Sequence, residues 1–181
     1  MPTEELVVLL DERFAPAGTA PKRTVHDAHT PLHLAFSCYV FDEGGRVLLT
    51  RRAMSKKTWP GVWTNSFCGH PGPGEDMADA IRRRAQQELG LPVTGLEKVL
   101  PDFRYTATDA GGVVENEFCP VWTARATTDP RPEPDEVCEW EWADWADVVE
   151  SMRRTPFVFS PWSRLQVARL AEVLTAGAGR G

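Results

Sequence analysis

A chain of 181 residues with 20 lysines and arginines against 26 aspartates and glutamates has the length for one domain, able to bury roughly 70% of its unfolded surface. The acidic balance excludes a general nucleic-acid binder, whose affinity rests on neutralising phosphates, so any anionic ligand must meet a local basic cluster. No apolar stretch approaches the ~20 residues that cross a bilayer, which predicts a soluble protein with no membrane partner.

The N-terminal MPTEELVVLL is acidic where a secretion signal is basic, and its apolar run is short; no signal is expected. Residues 5 to 11 are β-rich and predict a first strand, followed by a turn at Pro16 and Gly18. Lys22, Arg23, His26, His29 and His33 crowd into a segment without periodicity, which reads as a loop holding three of the four histidines. Residues 34 to 41 predict a buried strand, and Asp42-Glu43-Gly44-Gly45 turns it into a second strand over 47 to 50.

The stretch from Trp59 to Glu88 organises the rest. Cys68 and His70 lie between bulky aromatics and a proline-glycine turn, an unusual setting for a thiol and an imidazole unless they do chemistry. A helix follows: Glu75 and Asp76 suit its positive start, Met77, Ile81, Ala85 and Leu89 recur every four residues, and Gly90 with Pro92 ends it. Glu88 is expected one turn beyond Arg84 on the polar side.

Residues 96 to 106 predict a strand leading through Asp109-Ala110-Gly111-Gly112 into a second arm over 113 to 124. Side chains two apart in a strand share a face, so Glu115 and Glu117 stand together, and something positive should lie between them. Residues 137 to 142 predict a strand, Asp144 caps a helix to about Arg153, and Ser160-Pro161 opens a last helix to about Thr175. The tail from about 176 to 181 is expected to be disordered. Strands mixed with a few helices, without an internal repeat, imply an α+β sandwich. Cys38, Cys68, Cys119 and Cys138 form no C-x-x-C pair, which argues against a disulfide scaffold or zinc ribbon and suits a reducing cytoplasm.

Gly69, Glu75, Arg83, Glu88, Gly90 and Leu91 fall at the spacing of the Nudix box, a loop and helix whose acids hold a hard divalent cation on a diphosphate. Arg84 and Gln87 stand where the hydrolase form has glutamates. The chain from about Lys22 to Trp162 resembles the type I isopentenyl-diphosphate isomerases, a Nudix-fold family. The resemblance rests on HLAFS at 33–37, TRRAMSKKTWPGVWTNSFCGHP at 50–71, PDFRYTATD at 101–109, VENEFCPV at 114–121 and FSPW at 159–162.

This resemblance implies a single Nudix-like α/β/α sandwich, with mixed and antiparallel sheets, spanning residues 1 to 181. It implies interconversion of isopentenyl and dimethylallyl diphosphate, by protonation and deprotonation on opposite faces of the alkene. The implied catalytic pair is Cys68 and Glu117, with Tyr105 hydrogen-bonding near the glutamate and Trp162 facing the carbocation. Implied metal ligands are His26, His33, His70, Glu115 and Glu117. They would hold one divalent ion, manganese, zinc or magnesium, and the nitrogen and oxygen donors would also suit iron.

For the diphosphate the resemblance implies Lys22, Arg52, Lys56 and Arg84, with magnesium bridging through Glu88 and the Cys68 carbonyl. A monomer or weak dimer is expected. A Nudix hydrolase of a nucleoside or isoprenoid diphosphate is the alternative enzyme, and a structural metal site in a binding module the non-catalytic one.

Plainer readings stand beside these. Cys38, Cys119 and Cys138 read as small buried hydrophobes. His29 reads as a surface group, and Trp59, Trp63, Trp140, Trp142 and Trp145 as packing. Arg51, Lys57, Arg82 and Arg83 read as solvated or structural charges, Arg83 orienting the helix acids, and the acids from Glu133 to Glu150 as a solvated face.

Overall fold

In the computed structural model, which describes residues 4 to 178, apolar alternation along the centre of the chain builds one large sheet between two helical layers. Its middle strand is β4 (Phe36–Phe41), buried on both faces. Phe36, Cys38 and Val40 pack with Ile81, Ala85 and Leu89 of α1 (Met77–Leu89) on one side. Tyr39, pointing the other way, joins a core with Val148 and Met152 of α2 (Trp145–Arg154) and Val167 and Leu170 of α3 (Pro161–Ala178). Each such fully buried aliphatic chain contributes roughly 1.5–3 kcal/mol.

The remaining strands are β1 (Leu6–Leu10), β2 (Pro16–Pro21), β3 (His33–Leu34), β5 (Val47–Arg52), β6 (Trp63–Thr64) and β7 (Phe67–Gly69), then β8 (Thr94–Leu100), β9 (Arg104–Thr108), β10 (Val114–Phe118), β11 (Val121–Arg125) and β12 (Val137–Ala143). A seven-stranded sheet runs β12-β5-β4-β11-β8, with β6 on β5 and β7 on β4. A five-stranded sheet runs β2-β1-β3-β10-β9.

The expected helices and the Asp42 hairpin are present. Asp76 accepts from the amides of Ala78 and Asp79 at the start of α1, and Gly90 closes the helix in the left-handed region at φ 54°. Truncating the cap, Asp76→Ala, is expected to cost about 1 kcal/mol and to lower the thermal midpoint by roughly 2–4 °C; an unchanged melting curve would show that solvent satisfies those amides equally well.

Three expectations are corrected. The first turn is not at Pro16 and Gly18, which lie inside β2; it is at Asp11, whose Oδ1 accepts from the amides of Arg13 and Ala15. Pro16 is tolerated because β2 is an edge strand. The long strand over 96 to 106 is two, β8 and β9, and that over 113 to 124 is also two, β10 and β11. Pro120 cannot donate to a ladder, and Cys119 N–H bonds instead to the Phe103 carbonyl at 2.8 Å. Both arms therefore cross together from one sheet to the other. Of the tail expected to be disordered, α3 takes in the residues to Ala178 and the rest lies outside the described residues.

Candidate active site

The crossing sets the site. β10 pairs with β3 on one side and β9 on the other, so Glu117 stands opposite both His33 and Tyr105. One row across three strands thus presents an imidazole, a carboxylate and a phenol. Glu115 lies two residues earlier on the same face. The opposing wall is β7, where Cys68 pairs with Ser37 of β4 and His70 follows at the strand end. Gly69 lets this wall sit tight: a Cβ there would meet Arg84 Cγ and Phe36 Cζ, each at 2.8 Å. Between the walls opens a cleft of about 690 Å³ lined by Cys68, His70, Tyr105, Glu115, Glu117 and Trp162, with His26 and Lys22 from the loop after β2.

At one end of the cleft, single ligand atoms of His26, His33, His70 and Glu117 all lie within 4.8 Å of one another. Glu117 Oε1 is 3.0 Å from His70 Nε2 and 3.5 Å from His33 Nε2, and Glu115 Oε2 is 3.1 Å from His26 Nε2. His33 Nδ1 lies 2.9 Å from the Pro31 carbonyl, which fixes the proton there and leaves the Nε2 lone pair facing inward. His26 Nε2, His33 Nε2 and Glu115 Oε2 are buried without a hydrogen-bond partner. Buried orphaned donors converging with two carboxylates fit a divalent cation of nitrogen and oxygen preference.

Burial works against the charge on Glu117, but the facing His33 and the hydrogen-bonded His70 outweigh it and hold the carboxyl well below its usual range. The two histidines diverge although they share this partner. Burial depresses both, yet Glu117 more than restores His33 and leaves His70 lowered. Two imidazoles that face one carboxylate oxygen do not gain from it equally, because positive charge on one disfavours positive charge on the other. Tyr105 completes the set by donating to Glu117 Oε2 at 3.0 Å.

The opposite wall is apolar. Burial above all, with hydrogen bonding to Ser37 and Asn65 only partly opposing it, pushes the Cys68 thiol up to about 12, so it is a neutral S–H at pH 7. Asn65 Oδ1 lies 3.3 Å from Cys68 Sγ and accepts from Trp162 Nε1 at 3.0 Å. The Trp162 ring is flanked by Trp59 and Tyr105, at centroid distances of 5.4 and 5.8 Å. Arg52 lies over it at 5.4 Å and donates to the Thr58 and Trp59 carbonyls. Arg52 therefore also braces the loop that carries Trp59, a role beyond the expected anion contact.

At the basic end of the cleft, Arg84 and Glu88 lie one turn apart on α1 as expected; they are 7% and 8% exposed and bonded to each other. Burial is the chief reason the Glu88 carboxyl sits above its usual range. Two residues were missed. Glu5 holds Lys22 at 2.6 Å and reaches Arg84 at 3.6 Å, and Glu136 pairs with Lys56 and lies 3.7 Å from Arg84. Glu136 thus leaves the face expected to be solvated and lines the cleft. Only the fold brings residues 5, 56, 84 and 136 together, so no local pattern marks them. Arg83 clasps Glu75 as expected. Cys138 is exposed on β12, contrary to the buried reading.

A NUDIX domain signature matches residues 31–163. The chain is 59% identical over 175 residues to an isopentenyl-diphosphate Delta-isomerase of Clavibacter sepedonicus, covering 97% of this chain and 92% of that one. It is 52% identical over 166 residues to the isomerase of Salmonella typhi, covering 92% of each. The fold resembles that of a Deinococcus radiodurans protein of known crystal structure, with a TM-score of 0.71 at 18% identity over 91% of this chain and 98% of that one. A MutT NUDIX hydrolase of Burkholderia pseudomallei gives a TM-score of 0.58 at 21% identity, over 76% and 96%. With its box, its sandwich and these relatives agreeing, the chain belongs to the NUDIX family, among the isopentenyl-diphosphate Delta-isomerases.

Proposed function

We propose that this protein interconverts isopentenyl and dimethylallyl diphosphate, using Cys68 and Glu117 as the acid-base pair on facing walls of the cleft. The observation that carries this reading is their placement. A neutral thiol and an ionised carboxylate line one cleft together with the Tyr105 and Trp162 rings. Moving a double bond by one position needs a proton delivered to one carbon and removed from another, and two such groups can do both.

Trp162, which lines the cleft, stabilises the tertiary carbocation between the two steps, a contact worth about 2 kcal/mol when desolvated. Tyr105 orients Glu117 through its 3.0 Å hydrogen bond. His26, His33, His70, Glu115 and Glu117 would hold a divalent ion, manganese, zinc or magnesium, whose positive charge would keep the glutamate ionised between proton transfers. Lys22, Arg52, Lys56 and Arg84 hold the diphosphate, and Glu88 would hold the magnesium that accompanies it. An arginine at position 84 binds an anion without activating water, which suits a diphosphate that must survive. The chain acts as one domain, a monomer or weak dimer in a reducing cytoplasm, a setting its four free thiols suit. Among the described residues no helix is long and apolar enough to cross a membrane.

Proton NMR of isopentenyl diphosphate in deuterated water, with the protein, magnesium and either zinc or manganese, tests the reading. Loss of the terminal methylene signal with deuterium entering the product methyl is expected. Phosphate release without migration of the double bond would overturn it in favour of a hydrolase.

A further inference from the structure

Cys68 Sγ lies at the end of a chain of hydrogen-bonded polar side chains that this chemistry leaves unexplained. Ser37, Tyr39 and Gln166 are each 0% exposed, and none of them lines the cleft. Tyr39 Oη donates to Gln166 Oε1 at 2.8 Å, and Gln166 Nε2 donates to Ser37 Oγ at 2.8 Å. Ser37 Oγ in turn lies 3.3 Å from both Cys68 Sγ and Cys119 Sγ.

The direction of each bond follows from the donor inventory. Among the described residues the Tyr39 hydroxyl has Gln166 as its partner, so its buried proton must go to the amide oxygen. That turns the amide N–H groups toward Ser37. A serine hydroxyl accepts twice and donates once. Gln166 fills one acceptor position; Cys119 Sγ has Ser37 as its hydrogen-bond partner among the described residues, so its buried S–H goes to the other, and the single proton of Ser37 is left for Cys68. The proton of Cys68 itself points at Asn65 Oδ1, because Asn65 Nδ2 is committed to the Cys38 and Phe67 carbonyls at 3.1 and 2.7 Å.

We infer that Ser37, aligned by Gln166 and Tyr39, is a positioning residue for proton transfer at Cys68, its hydroxyl donating to the sulfur throughout the cycle. The inference rests on the isomerase reading. When Cys68 gives up its proton, the S–H bond breaks, the alkene π pair forms the new C–H bond, and the S–H pair stays on sulfur; Glu117 takes the proton lost from the carbon across the cation. In the reverse sense the sulfur pair takes the proton back. A sulfur bearing that extra charge away from water needs a donor already in place, and Ser37 is that donor.

The test uses the metal-loaded enzyme and the same NMR assay, with kcat and KM measured separately. Ser37→Ala is expected to lower kcat roughly 10- to 100-fold, and Tyr39→Phe roughly tenfold, with KM for isopentenyl diphosphate unchanged in both. In Tyr39→Phe the unsatisfied Gln166 oxygen captures the Ser37 proton and withdraws it from sulfur. The double variant should therefore be no slower than Ser37→Ala alone. Additive losses, or a lower thermal midpoint with unchanged kcat per folded molecule, would overturn the inference in favour of simple packing. Should Ser37→Ala fail to fold, Tyr39→Phe decides alone, since it keeps every ring contact: an unchanged kcat overturns, a tenfold loss supports. A wild-type protein that does not move the double bond overturns the isomerase reading and this inference with it. Wild-type turnover with Tyr39→Phe unaltered overturns only the inference.

Discussion

Cys68→Ala should reduce isomerisation by roughly 10²- to 10⁴-fold while leaving the fold and the affinity for diphosphate in place. The size follows from what the thiol alone provides. Its S–H lines the cleft beside Trp162, and no water-borne acid of comparable placement replaces it there. The fold should persist because the thiol is only half buried and its partners Ser37 and Asn65 each keep other hydrogen bonds. The measurement is kcat from the NMR assay, with circular dichroism as the control for folding. Turnover within threefold of wild type would remove Cys68 from the mechanism. It would also revive the non-catalytic reading, in which the histidines and glutamates merely hold the structure together.

Glu117→Gln should be at least as damaging, for two separable reasons. The amide cannot take up a proton at neutral pH, so the step on the metal side of the cavity is lost. Its second effect is on the cluster itself. Glu117 accepts from Tyr105 and lies against both His33 and His70, and a neutral amide would turn an N–H toward one of these nitrogen donors. Loss of activity by roughly 10²- to 10⁴-fold is therefore expected together with weaker binding of manganese or zinc, by some 10- to 100-fold as for other groups that organise a metal's ligands. Isothermal titration with the metal salt separates the two. Full metal affinity with no turnover assigns Glu117 to proton transfer alone, whereas retained turnover would exclude it from the chemistry. Because Cys68 is outside the histidine cluster, Cys68→Ala should bind metal normally, and the contrast between the two variants distinguishes the walls.

The helix that anchors the site was legible in the chain because its signals are local. Asp76 before a four-residue apolar repeat and Gly90 after it specify α1 without reference to anything distant. The pairing of Glu115 with Glu117 was legible for the same reason, since a strand's period of two places them together wherever the strand lies. The split of two long strands was not. Pro120 signals a break, but that both arms leave one sheet and enter the other depends on which strands wait there to pair.

By itself the sequence determined the chemical inventory: an acidic chain with a concentrated basic and histidine-rich set, a thiol beside an imidazole, two adjacent carboxylates and a diphosphate-type loop and helix. Only the tertiary structure decided how these meet. His26, His33, His70 and Glu117 close to within 4.8 Å, Glu5 and Glu136 reach the cations of the cleft, and Tyr39 is tied to Ser37 through Gln166. Most of these contacts join residues tens of positions apart or more, and their geometry is set by sheet register and by the burial of both faces of β4. Local propensity acts over one or two turns of chain, whereas the cost of leaving buried donors and charges unpaired acts on the whole packed core.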